Sequence, residues 1–322
     1  MNAPISLVGG VVAHNDASTI GAAIRSLLAQ DLGGTAEWST IWVVASGCTD
    51  ATVEIVASLA DREPRIRPIV ERERRGKASA LNAILAHAHG DALVLLNGDA
   101  YAEPGSVSAL LDEAADRPAP FAVMARPVPP HEGVGRVVPA VASLLWTFHA
   151  NLHEAILRDG RGNHLSDELL LVSLPPPVIF PRDTINDGAF LGAKLCLQGG
   201  ARAYAPAARV RIQIPDTVGG YLDQRRRIYV GHWKVAEATR VVPNTMVTEA
   251  LRRPRGALRV VRRTFRENPN RGRLPVLLAW ESIAVLMASW DRWGRPRDHV
   301  RWRRIAPPQR SPAGTERGSA RT

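Results

Sequence analysis

Lysine is scarce in this 322-residue chain: of 41 basic residues only Lys77, Lys194 and Lys234 are lysines. The first of them sits in RRGKASALN, residues 74–82, where Arg74, Arg75 and Lys77 surround Gly76 at the start of a helical pattern. Free N–H groups and the positive dipole end make a helix N-terminus attractive to anions, and cations beside it build a site that fits a diphosphate. NGDA, residues 97–100, closes an apolar run with Asp99. A hard divalent cation takes one or two such carboxylates and fills its shell with phosphate and water. TINDGAFLG, residues 184–192, starts a helical pattern at Asp187, a place where Asp most often serves as a cap. In YLDQRRRIYVGHW, residues 221–233, Gln224 precedes three consecutive arginines. On a helix these point in different directions, so only one or two can face a single site. Taken singly, each stretch has a plainer use: a solvated basic loop, an Asx turn, an N-cap, a solvated face.

The elements that must position these residues follow from hydrophobic periodicity. ISLVGGVVA (5–13), TIWVVAS (40–46), IRPIV (66–70) and ALVLLN (92–97) read as buried strands. Helical patterns over 17–30, from Asp50, over 78–87 and over 106–116 separate and follow them. Continuous apolar strands alternating with helices of this length predict a parallel sheet covered on both faces. Beyond 120 the rhythm changes: FAVMARPVP and residues 168–173 read as strands, residues 137–157 as a long helix. A helix from Asp187, the extended segment RAYAPAARVRIQIP and a helix over 224–234 complete the domain. Ligands of such sheets bind outside the carboxyl ends of the strands, which singles out residues 13–16, 45–50 and 97–99.

In order along the chain these pieces resemble the family 2 glycosyltransferases of the GT-A fold. VVAHND (11–16) is similar to the family's xxAxNE, ASGCTDAT (45–52) more loosely to DDGSxDxT, and RRGKASALN to RxGKAxALN. Asn97-Gly98-Asp99 stands at the D-x-D, Asn186-Asp187 at the acidic acceptor-side pair, and QRRRI (224–228) at Q-x-x-R-W. The resemblance spans roughly residues 5 to 232. It implies an α/β, Rossmann-like, mostly parallel sheet flanked by helices. Ala13, His14, Asn15, Asp16, Ser46 and Asp50 would line the nucleotide pocket, with Asn97 beside them. Lys77 and Arg75 would contact the diphosphate or support its loop, and Gln224 and Arg227 would close over it. Asp99 would hold Mg2+ or Mn2+, and Asp187 would be the general base. In-line attack assisted by such a base inverts the anomeric configuration, while metal and cations stabilise the leaving diphosphate. Three positions differ from the family pattern: Ala45 and Ser46 replace the acid that contacts the base, Asn97 replaces the first carboxylate, and Ile228 replaces a stacking tryptophan. The last argues for transfer of a single sugar rather than polymer synthesis.

The expected reaction is thus transfer of one sugar from a nucleotide sugar, first of all a UDP-sugar, to a hydroxyl on a lipid or small molecule. A nucleotidyltransferase, or a non-catalytic sugar-nucleotide-binding protein at a membrane surface, are the alternatives. The net charge of +10 lies in the last part of the chain: residues 251–322 hold 18 Arg and 5 acids. The expected division is a catalytic domain over 1–240, a helical Arg/Trp-rich extension over 241–310 and a disordered tail over 311–322. The apolar stretch 274–290, beside Trp290, Trp293, Trp302 and many arginines, suits a helix lying at an anionic membrane surface, or one packed on the domain. Nucleic-acid binding is not expected, since no motif for it accompanies the arginines. Two cysteines, Cys48 and Cys196, and an N-terminus without a basic stretch predict a cytoplasmic protein, peripheral on the inner face of the cell membrane.

Overall fold

The computed structural model describes residues 3–130, 136–294 and 297–300. The expected disordered tail, with Trp302, lies outside the described residues. Three parallel strands form the first half of the sheet around β1 (Ile5–Ala13), with β2 (Ala36–Ser46) on one side and β4 (Ala92–Asn97) on the other; β3 (Ile66–Glu71) extends it beyond β2. Leu7, Val11, Ile41, Val43, Val44 and Leu93 are completely buried, as expected for strands covered on both faces. The covering helices are α1 (Ile20–Leu28), α2 (Thr52–Ala60) and α3 (Lys77–His87). Helix α1 starts three residues later than the apolar pattern predicts, because residues 16–19 form a turn in which the Asp16 carbonyl accepts from the N–H groups of Thr19 and Ile20.

Beyond β4 the sheet changes direction. A short β5 (Tyr101–Ala102), α4 (Ser106–Ala114), β6 (Phe121–Val128) and the 22-residue α5 (Val137–Arg158) precede β7 (Leu169–Ser173), which runs antiparallel to β4 with Leu96 opposite Leu169. Helix α6 (Asp187–Leu197) and β8 (Ala201–Arg211) follow, giving the order β3-β2-β1-β4-β7-β6-β8-β5. Because β7 is antiparallel, its first residue, not its last, lies at the carboxyl end of β4.

The remaining helices pack against this sheet's helical layer. Helix α7 (Val218–Thr239) is twice the predicted length, with Thr217 as its N-cap. It is followed by α8 (Met246–Arg252), α9 (Pro254–Glu267), a 3-10 turn (Pro269–Arg273) and α10 (Leu274–Trp293). One side of α10 packs on α7: Ala284 and Ala288 are buried, Glu281 accepts from Arg225, Tyr221 and Tyr229 of α7, and Asp291 forms a bidentate pair with Arg226. The other side exposes Leu278, Ile283, Leu286, Trp290 and Trp293. By length and composition the stretch Pro269–Trp293 could cross a membrane, and little of it is buried.

Candidate active site

Two loops at the ends of β1 and β2 are bolted together through side chains. His14 N–H donates to Asp16 Oδ2 at 2.8 Å, and Asp16 N–H donates to Thr52 Oγ1 at 2.8 Å. Asp50 accepts from Thr52 and, at 3.1 Å, from Ala17 N–H; Asn15, in the left-handed backbone region, accepts from Thr49 N–H at 2.7 Å. Asp16 and Asp50 thus tie the two loops together through backbone donors. Ala13 and Ser46 are buried at the ends of their strands, and His14 Nδ1 lies 2.7 Å from the Ser46 carbonyl. Gly98 brings the β4 loop against this wall: a Cβ there would stand 2.9 Å from both Asp16 Oδ2 and the Val12 carbonyl. Only glycine allows that approach.

The acidic centre is built from β4, β7, α3 and α6. Asn186, not Asp187, caps α6, its side chain accepting from Ala189 N–H at 3.0 Å. That leaves Asp187 free to turn inward, where it is 7% exposed and sits 3.0 Å from the Lys77 ammonium. Lys77 also pairs with Asp167, so its charge stands between two carboxylates rather than facing out from the α3 terminus. Burial works against the charge of Asp167, but Lys77 outweighs it and holds that carboxyl well below the usual range. Burial and the neighbouring Asp167 push Asp187 up to about 7, with Lys77 pulling the other way. Glu168 is pushed up to about 8 by burial, Asp167 and Asp99.

The Asn97 amide donates to Glu168 Oε2 at 2.8 Å, and its N–H donates to the Glu168 carbonyl at 3.3 Å. Asp99 and Glu168 are close enough to raise the latter's pKa, so the β4–β7 junction supplies two hard oxygen donors. Asp99, Asp167, Glu168 and Asp187 gather here with the cations Lys77 and Arg227, and the oxygens of Asp99 and Glu168 are hard donors of the kind a divalent cation takes. Among the described residues no three His, Cys, Asp or Glu side chains form a metal cage. A Mg2+ or Mn2+ held by one or two carboxylates and completed by a diphosphate needs none.

The three consecutive arginines of α7 do diverge. Arg225 and Arg226 are committed to α10, and Arg227 alone turns to the acidic centre, where its Nη2 donates to the Ile185 carbonyl at 3.0 Å and its Nε to the His299 carbonyl at 3.2 Å. Gln224 is half-buried on α7, just before the three arginines. Arg75 is exposed on the loop before α3. Asp167 and Glu168 were not singled out from the sequence. Their signal was an acidic pair at the head of the fully buried run LLLVS, visible only to a reading that allows an antiparallel strand to deliver its first residues.

A mixed sheet with a Rossmann-like parallel half, an acidic centre at its β4–β7 junction and a cationic helix start beside it is the architecture of a GT-A-like fold. Residues 10–162, just under half of the chain, match the family model for glycosyl transferase family 2. The match ends before Asp167, Asp187 and Arg227. Among solved structures, a mannosyltransferase from Pyrobaculum calidifontis in complex with GDP-Man and Mn2+ is similar with a TM-score of 0.61 and 18% identity, over 91% of this chain and 88% of its own. GalNAc-T7 with UDP, GalNAc and Mn2+ is similar with a TM-score of 0.50 and 12% identity, over 70% of this chain and 48% of its own. S. aureus TarS residues 1–349 with UDP reaches 0.47 at 17% identity, over 70% and 65%. No curated protein matches the sequence.

Proposed function

We propose that this chain is an inverting, metal-assisted glycosyltransferase that moves one sugar from a nucleoside diphosphate donor to a hydroxyl on a lipid or small molecule. The observation that carries the reading is Asp187: a buried carboxyl, released from capping by Asn186, poised near neutrality and set beside Lys77. A general base needs a pKa near the working pH and reach to the proton it takes. Asp187 removes the proton of the attacking hydroxyl as the anomeric C–O bond to the diphosphate breaks. The family match, together with the GDP-Man and Mn2+ bound in one similar structure and the UDP, GalNAc and Mn2+ in another, supports a nucleotide-sugar donor and a divalent ion. Asp99, with Glu168 beside it, would hold that ion, which offsets charge on the leaving diphosphate when bound. Arg227 contributes positive charge on the same side. Ile228, half-buried where a stacking tryptophan was expected, favours single transfer over a growing polymer.

The cytoplasmic face of the membrane is the proposed location, supported by the exposed apolar side of α10 and the arginines around it. Titration calorimetry of GDP and UDP with and without Mn2+, followed by donor hydrolysis across a nucleotide-sugar panel, tests the activity. Metal-dependent nucleotide binding with slow hydrolysis of one donor is expected. Failure to bind any nucleoside diphosphate would overturn the reading.

A further inference from the structure

The end of β2, where the resemblance leads one to expect an acid for the nucleobase, carries Ala45 and Ser46, both buried. A carboxylate is nevertheless present at that corner. Glu71 closes β3, directly opposite Ser46 in the strand register, and its carbonyl accepts from Gly47 N–H at 2.8 Å. Its side chain is half-exposed and fixed from two sides: Ser46 Oγ donates to Oε2 at 2.5 Å and Ser79 Oγ, from the second residue after Lys77 on α3, donates to Oε1 at 2.9 Å. Arg72, Arg74 and Arg75 follow it in the chain, yet no Lys or Arg forms an ion pair with it among the described residues. The His14 ring, tied to the Ser46 carbonyl, is the adjoining wall.

Glu71 is thus oriented but not neutralised. A carboxylate has about four lone-pair directions, and the two hydroxyls use one on each oxygen. Each oxygen keeps acceptor capacity for one more donor. Among the nucleobases only guanine presents two adjacent donors, N1–H and the N2 amino group, which meet a carboxylate in the same two-pronged way as a guanidinium does. Uracil presents a single N3–H between two carbonyl oxygens, so a carboxylate that accepts from it faces a carbonyl with its second oxygen.

We infer that Glu71 reads the nucleobase of the donor and selects guanine, in place of the uracil that the family resemblance first suggests. The inference rests on the glycosyltransferase reading above. It is tested by titration calorimetry of the full chain with GDP, IDP and UDP in Mn2+, for the wild type and Glu71→Gln. IDP lacks the N2 amino group and isolates one of the two hydrogen bonds. The wild type should bind GDP about tenfold more tightly than IDP, the effect of one hydrogen bond to a charged group, and about a hundredfold more tightly than UDP. Glu71→Gln keeps an oxygen for the serines but turns a donor toward the base, and it should lower GDP affinity by about tenfold or more while changing UDP affinity by less than about twofold. Equal binding of GDP and UDP by the wild type, or equal losses for both in Glu71→Gln, would overturn the assignment to Glu71 and leave the glycosyltransferase reading standing. Absence of binding by all three nucleotides would strike the reading itself. The GDP, IDP and UDP comparison on the wild type needs no variant and holds if Glu71→Gln does not fold.

Discussion

Asp187 and Lys77 are the residues on which the proposed chemistry turns, and their coupling makes it measurable. A base must be deprotonated, so kcat/KM for transfer should rise as pH increases through about 7 and level off above it; a flat profile down to pH 5 would remove Asp187 from the role. Asp187→Asn should lower kcat by roughly 10²–10⁴-fold with donor affinity nearly intact in calorimetry. A large loss of donor binding would mark the side chain as structural. Lys77→Met removes the cation that partly holds Asp187 down, so the rising limb of the profile should move to higher pH. The proton held by Asp187 also enters stability. Its folded pKa lies above the ordinary carboxyl value, so the folded state binds this proton longer than the unfolded chain, and the stability it contributes is lost as pH rises from about 4 to about 7.

At the scale of elements, two buried constructions join the helices. Arg226 of α7 and Asp291 of α10 are 5% and 4% exposed and pair with each other, Asp291 also accepting from His299 Nε2 at 2.8 Å. Asp291→Ala strands a buried guanidinium and should cost about 3–5 kcal/mol in urea unfolding; an unchanged midpoint would show that α10 does not contribute to the fold in solution. The second construction is a column of imidazoles: His149 and His153 of α5, His164 of the loop before β7, and His232 of α7, with successive ring centroids 4.0, 4.8 and 4.8 Å apart. Burial lowers the pKa of all four, and holds His153, His164 and His232 to about 3. The unfolded chain takes up protons below the ordinary histidine value of about 6.5 and the folded column does not. Stability is therefore fully present above about pH 6.5 and falls below it, by about 1.4 kcal/mol per pH unit for each imidazole. Urea midpoints should drop steeply between pH 6.5 and 4.5, and His153→Phe should make the drop shallower; a slope equal to the wild type's would show that His153 is not held neutral.

At the scale of the molecule, the C-terminal helices are part of the domain on one side and unfinished on the other. Deleting α10 would strip α7 of partners, so the membrane proposal is better tested on the exposed face alone. Replacing Leu286, Trp290 and Trp293 by Ser should reduce partition onto anionic vesicles by about tenfold or more while leaving nucleotide binding unchanged. Equal partition would end the membrane proposal. What the sequence determined by itself was the local grammar: four strands with helices between them, the loops at residues 13–16, 45–50 and 97–99, and the cationic start of α3; the third strand, β3, was expected to be buried but stands at the sheet edge with only Ile66 buried. These are legible because apolar periodicity and helix-terminal chemistry depend on neighbours a few residues away. Only the tertiary structure decided that β7 runs antiparallel to β4 and lays Asp167 and Glu168 against Lys77 and Asn97, ninety and seventy-one residues distant in sequence. It also decided that Asn186 caps α6 so that Asp187 need not, that α7 divides its three arginines between α10 and the acidic centre, and that four histidines from three segments stack together. Strand direction and the partner of a buried charge depend on long-range pairing, whose free energy is a property of the assembled layers and leaves no periodic trace in the chain.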